Sequence, residues 1–327
     1  GIYLHNIPLM LAALFAMGVH STFFGPIKYA ILPQHLEQDE VLGGTGLVEA
    51  GTYLAILGGT IAGGIIPGEI AGIGIIIVAI IGRFTAQSVP FAPPESDAPT
   101  AKMDWNIFRS SWRLVRDTMH IPRLFLAIMA ISFFWGVGAV LGSIFPPMVK
   151  NAIGGDNTVA TLFTAFFSIG IAIGSVAINR LLNGTVSAKY APVSVIVMGL
   201  FVLDLWWTVS HWQPTGPELM DWWQFLMLGY GERMIVDLLG ISIAGGMFVV
   251  PLYAFLTTTV AKSQTARTIA ANNIVNSGAM VIGAVIYSLL VSAGVSIADT
   301  LFMIAAACLV SAWISWKLHK ACDPVTA

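Results

Sequence analysis

The chain has 327 residues, 57% of them hydrophobic and only 10% charged, with a net charge of −2 at neutral pH and a mean hydropathy of +0.83. A water-soluble domain carries roughly 25% charged residues, so the composition excludes a soluble fold, and the near-zero charge gives no field to draw nucleic acid. Long continuous apolar runs, in place of the alternation of a barrel strand, predict an all-α polytopic membrane protein.

Nine segments reach the ~20 residues needed to cross a bilayer core: roughly 3–24, 45–66, 69–89, 124–148, 158–182, 190–210, 235–260, 268–292 and 298–317. The first runs into Gly25-Pro26-Ile27-Lys28-Tyr29-Ala30-Ile31-Leu32, which sets a lysine beside a proline where the span meets its loop. The second carries Glu49 about one turn in, among Gly43, Gly44, Gly46, Ala50 and Gly51, and a short Pro67-Gly68-Glu69 turn leads to the third. Segment 90–123 opens with a linker composition at Pro90–Pro99. Trp105, Phe108, Trp112 and Val115 then recur at helical spacing beside Arg109, Arg113 and Arg116, the pattern of an amphipathic helix on a membrane surface.

The fourth span contains Phe134-Trp135-Gly136, and the sixth contains Asp204 just before Trp206-Trp207, read as an interfacial residue. Loop 211–232 holds Trp212, Trp222 and Trp223, which suit a membrane interface. The seventh span ends in Pro251-Leu252-Tyr253-Ala254-Phe255-Leu256, and the eighth presents Asn272, Asn273, Asn276 and Ser277. Asn272 and Asn276, four apart, share a face directed at other helices or at substrate. Gly59/Gly63 and Gly170/Gly174 have the spacing of close helix packing. Single aromatic groups such as His20 and Trp135 are placed to line a cavity. Cys308 and Cys322 provide neither a disulfide framework nor a metal site.

Basic residues orient the chain. If loop 25–44 is cytoplasmic, alternation places thirteen of the fifteen Lys and Arg residues on that side, leaving only Lys150 and Arg233 on the other. Residue 1 then lies outside and the carboxyl end inside, and three further spans upstream would bring an amino terminus inside. The internal pattern agrees. Pro26 is followed by Tyr29-Ala30-Ile31-Leu32, a polar turn and a span with Glu49-Ala50-Gly51; Pro251 is followed by Tyr253-Ala254-Phe255-Leu256, a polar turn and a span with Asn276-Ser277-Gly278. The interval from proline to polar residue is 23 in one copy and 25 in the other. A two-fold transporter built from related halves has this signature, with Pro26, Pro251, Gly51 and Gly278 as structural positions.

Ionisable groups inside a bilayer are costly and mark functional sites. Lys28 and Glu49 lie near one membrane face, where a direct ion pair would lock that end shut. There is no Walker loop, nucleophile elbow, HExxH or cysteine pair, so the expected catalytic residues, metal and cofactors are none, and secondary transport is favoured over ATP-driven transport.

The stretches Gly25–Leu32, Gly46-Leu47-Val48-Glu49-Ala50-Gly51-Thr52, Gly58–Gly64, Phe134-Trp135-Gly136 and Gly245–Leu252 resemble the bacterial lysophospholipid transporter family of the major facilitator superfamily. The resemblance implies a twelve-helix fold of which this chain holds helices four to twelve. Residues 1–89 would finish the first bundle, 90–123 form a cytoplasmic linker, 124–320 form the second six-helix bundle, and 321–327 form a cytoplasmic tail. It implies an inner-membrane secondary transporter that flips lysophospholipids inward, without ATP, for re-acylation by an acyltransferase and acyl-carrier-protein synthetase, as partners or fused domains. Lys28 and Glu49 fall on the family's motif positions and inherit a head-group or gating role, with Tyr29, Trp135, Tyr253, Asn272, Asn273 and Asn276 beside them. Gly142 and Ser143 stand where some relatives have an arginine, and Asn276 where some have an acid, so head-group chemistry would differ. Two other readings are a proton-coupled efflux or solute transporter with Glu49 as proton carrier, and a membrane anchor for a fused acyltransferase.

Overall fold

The computed structural model describes residues 1–93, 104–213 and 218–322. Most of the Pro90–Pro99 linker, Lys102 and the end of the carboxyl tail lie outside the described residues. In chain order the helices are α1 (Ile7–Ala30), the short α2 (Leu32–His35), α3 (Val41–Ile65), α4 (Gly68–Thr85), α5 (Ile107–Met119), α6 (Pro122–Pro147), α7 (Asn157–Leu181), α8 (Ala191–His211), the short α9 (Trp222–Leu226), α10 (Gly229–Thr258), α11 (Lys262–Ser292) and α12 (Ile297–Cys322). Among the described residues, nine helices are long and apolar enough to cross a membrane, and they correspond to the nine predicted spans. The protein is an all-α polytopic membrane protein.

Polar residues set several helix starts by accepting hydrogen bonds from first-turn backbone N–H groups: Asn6 for α1, Asn106 for α5, Asp156 for α7, and Asp221 with Gln224 in a capping box for α9. The double proline at the end of α6 cannot supply backbone donors. There the chain widens into a π-turn at Met148–Ile153 and stops at Gly154, whose φ of 77° is left-handed.

Two boundaries differ from expectation. The first span does not end at residue 24: α1 continues through Pro26 to Ala30, so the Gly-Pro-x-Lys-Tyr motif forms its last helical turns, not a helix–loop junction. Proline is accommodated inside membrane helices because neighbouring groups re-satisfy the freed carbonyl; Pro251 is likewise inside α10. The eighth span starts at Lys262, not 268, because its first turns are helical but polar, which hides them from a hydropathy criterion. Glu49 is consequently about two turns into α3 rather than one.

Helices α6, α7, α8, α10, α11 and α12 pack as one body, with α7 on α10, α8 on α10 and α12, and α6 on α11. Gly170 and Gly174 sit directly against Ser242 and Ile243 of α10, so the predicted close packing is real there. Gly59 and Gly63 face open space, as do Gly51 and Gly278. The structural role expected for Gly51 and Gly278 is therefore not one of close contact.

The earlier helices meet this body at one end. Helix α3 lies on α7 and α10, and α1 on α11. The buried residues of α1 are only Tyr29 and Ala30, and those of α11 stop at Asn276. In α3, Val41 and Leu42 are buried while Leu54 and Ile56 are exposed. The two groups thus close together beside loops 31–40, 182–190 and 259–261 and separate toward the other end. Helix α4 has no buried residue.

Helix α5 carries Phe108, Trp112 and Val115 of the predicted amphipathic pattern, with Phe108 and Trp112 exposed, but it begins after the Asn106 cap, so Trp105 precedes the helix. Among the tryptophans of loop 211–232, Trp222 and Trp223 are exposed, but Trp212 is buried and donates from its indole nitrogen to the Ile153 carbonyl at 2.8 Å.

Candidate functional site: a tyrosine pair between the two groups of helices

The closed end is built around two tyrosines. Tyr29 from the last turn of α1 and Tyr253 from α10 stack with ring centroids 4.7 Å apart and planes 8° from parallel. Both are buried, at 3% and 2% exposure. Stacked aromatic pairs contribute about 0.5–1.5 kcal/mol beyond their buried area, and this one joins the two occurrences of the repeated sequence motif.

Each tyrosine then binds the polar residue that follows it in its own copy. The Tyr29 hydroxyl donates to Glu49 Oε1. The Tyr253 hydroxyl accepts from Asn276 Nδ2 at 3.3 Å and from Trp135 Nε1 at 2.8 Å, and Asn276 Oδ1 accepts from Ser132 Oγ at 2.8 Å. The partners lie 20 residues apart in the first copy and 23 in the second. The two spacings differ by three residues, although α3 follows a ten-residue connection containing α2 whereas α11 follows almost at once.

The expected direct ion pair between Lys28 and Glu49 is not formed. Among the described residues the ion pairs are Arg113–Asp104, Arg116–Asp117 and Arg233–Asp204. Lys28 Nζ instead donates to Thr52 Oγ1 at 3.3 Å and lies 4.7 Å from the centroid of the Tyr29 ring. Both side chains reach α3, but the Tyr29 hydroxyl takes the carboxylate and the lysine reaches Thr52, three residues further along. Glu49 is 1% exposed, and a charge so deeply buried requires hydrogen bonds. The phenol supplies one.

On the other side of the pair a groove of about 540 Å³ opens between α1 and α11. Ser21, Thr22 and Pro26 form one wall, Asn273, Ser277 and Met280 the other, and Trp135, Tyr253 and Asn276 the floor. Helices α1 and α11 approach closely at its base, where a side chain on Gly25 would press on Asn273 Nδ2. The volume is that of a site for a small ligand or part of a larger one.

Of the predicted residues, Lys28, Tyr29, Glu49, Trp135, Tyr253, Asn272, Asn273 and Asn276 all fall in or against this cluster. Asn272 is fully buried with its Oδ1 unbonded, and its amide nitrogen reaches Asn273 Oδ1 at 3.5 Å. His20 is exposed and stacks loosely on Phe24. Two participants were not anticipated. Ser132 precedes Trp135 by three residues and Thr52 follows Glu49 by three, so helical spacing from a known site residue would have found them.

Residues 1–284 match the family model of the Major Facilitator Superfamily. The chain belongs to this superfamily. Within it, the chain is 27% identical over 314 residues to the lysophospholipid transporter LplT of Escherichia fergusonii, covering 93% of the chain and 73% of that protein. It is 28% identical over 316 residues to LplT of an Escherichia coli strain, covering 93% and 73%, and 27% identical over 286 residues to LplT of Pectobacterium carotovorum subsp. carotovorum, covering 86% and 65%. The chain thus spans about two thirds to three quarters of the length of these relatives. This superfamily member places the paired tyrosines where its two groups of helices touch.

Proposed function

We propose that the protein is a secondary transporter of lysophospholipids, moving them inward across the bacterial cytoplasmic membrane with its carboxyl end in the cytoplasm. In this reading α1, α3 and α4 are the last three helices of a first six-helix bundle, and α6, α7, α8, α10, α11 and α12 form the second. The lipids delivered would be re-acylated by an acyltransferase and acyl-carrier-protein synthetase.

The observation that carries the reading is the asymmetry of the groove. Its floor offers an indole, a phenol and amides, with the Lys28 cation behind the tyrosine pair, while Ile274 and Met280 add apolar wall. A phosphate-bearing head and one acyl chain match that division. The names of the relatives point the same way. The stacked tyrosines close one end, and opening that end requires Tyr29 and Tyr253 to part.

Uptake of labelled lysophosphatidylethanolamine into spheroplasts making the full-length protein tests this. Uptake that persists when cytoplasmic ATP is depleted, and that falls at least ten-fold in Lys28→Gln, supports it; no uptake above empty membranes refutes it. A second reading, proton-coupled export of an amphiphile, draws on the burial of Glu49 and requires proton-gradient dependence that Glu49→Gln abolishes.

A further inference from the structure

Two groups of charged side chains lie outside the tyrosine cluster, and they are held differently. On α8 and α10, Asp204, read from the sequence as interfacial, is gripped by Arg233: Nε donates to Oδ2 at 2.9 Å, and the guanidinium lies 4.6 Å from the centroid of the Trp207 ring. Asp237, four residues further along α10, is buried. Arg233 thus finds both its partners within the protein. The cations around α5 outnumber theirs.

Helix α5 carries two parallel stripes. Phe108, Trp112 and Val115 keep i, i+4, i+7 spacing, and Arg109, Arg113 and Arg116 repeat it one residue later, about 100° further round the helix. Leu114 and Thr118, on the remaining side, face the bundle across a cavity of about 410 Å³ that Ile121, Gln264, Arg267 and Thr268 also line. The helix touches α6 and α11 and has no buried residue. Phe108 is 90% and Trp112 71% exposed. Nothing within the described residues covers the aromatic stripe, yet α5 ends three residues before the membrane span that begins at Pro122. It therefore lies at the bilayer surface.

The charges say which surface. Arg113 pairs with Asp104 at 3.9 Å and Arg116 with Asp117 at 3.1 Å, exposed pairs of a kind that contribute little; Arg109 is in no ion pair among the described residues. Arg123 at the start of α6, and Lys262 and Arg267 at the start of α11, are exposed on the elements that α5 touches. Six cations stand there against the two aspartates. We propose that α5 is a docking surface for anionic phospholipids: Phe108 and Trp112 enter the head-group layer, and the arginine stripe takes lipid phosphates at its level. The proposal rests on the membrane setting of the spans and not on the transporter reading above.

Hydrogen–deuterium exchange of the purified full chain tests this locally. Nanodiscs of phosphatidylcholine are compared with nanodiscs containing an equimolar share of phosphatidylglycerol. The α5 amides should exchange about five-fold more slowly, or slower still, in the anionic discs, the effect of at least one cation held at an anionic surface. The combined Arg109→Gln, Arg113→Gln, Arg116→Gln variant should lose that difference, and so should Phe108→Ser with Trp112→Ser, with exchange in α7 and α10 unchanged. High salt should remove it from the wild type without any mutation, which decides the matter if a variant does not fold. Equal exchange of α5 in the two lipid mixtures overturns the proposal and leaves the face to a protein partner. A difference that survives in either folded variant also overturns it. Inorganic phosphate added to phosphatidylcholine discs should change nothing; protection by phosphate alone would make this a site for soluble anions and refute lipid docking.

Discussion

The two sides of the tyrosine pair share a plan and differ in charge. In α1 and α3, the Tyr29 hydroxyl donates a hydrogen bond to buried Glu49, and a lysine stands next to it. In α10 and α11, the equivalent Tyr253 is an acceptor in a neutral set of indole, amide and hydroxyl. The common part, a tyrosine held by a polar residue 20 or 23 positions later, brings the two groups of helices together. Under the proposed function the charged side is the one that orients an ionic substrate; the neutral side forms the floor of the groove.

The largest expected effect separates these roles. Lys28→Gln should reduce lysolipid uptake at least ten-fold, which corresponds to about 1.4 kcal/mol or more, while changing thermal stability little. Lys28→Arg should restore most of the uptake. Equal losses of uptake and stability would mean the lysine only holds the fold.

Stability should respond more on the charged side than on the neutral one. Tyr29→Leu leaves Glu49 buried without its donor and should cost about 2–3 kcal/mol, read as a fall in unfolding temperature. Adding Glu49→Gln should recover part of this, because a neutral amide is less costly to strand. Tyr253→Phe removes one acceptor shared by Trp135 and Asn276, and should cost about 1–2 kcal/mol. If Tyr253→Phe proves the more damaging change, the division between the two sides is wrong.

The smallest effect concerns the glycines. Gly51 faces open space, so Gly51→Ala should be neutral or stabilise by up to ~1 kcal/mol. Gly174 lies against the Ile243 backbone, so Gly174→Ala should instead lower stability and yield in the membrane.

Much of this was legible in the sequence. The nine spans follow from hydropathy, and the repeated Pro-x-(x)-Tyr-Ala motif picked out the two tyrosines that meet. Their stacking was not legible, because sequence spacing within each copy says nothing about the angle at which α1 and α10 cross. Lys28 and Glu49 were singled out correctly as neighbours, but opposite charge alone suggested an ion pair and overlooked the adjacent phenol. Asp237 lies inside the predicted span 235–260 but was not singled out, because that span was started two residues after Arg233 and the two were not read as one helix face. Once α10 begins at Gly229, the i, i+4 relation between Arg233 and Asp237 is apparent.

The central claim is that the tyrosine cluster and its lysine serve lysophospholipid movement. Its most direct test is uptake of labelled lysophosphatidylethanolamine by spheroplasts of a strain without its own lysolipid transporter, comparing wild type with Lys28→Gln at matched membrane levels. The account predicts ATP-independent uptake by the wild type and at least a ten-fold loss in the variant. Wild-type uptake no greater than in empty membranes, or an unchanged rate in Lys28→Gln, would contradict it.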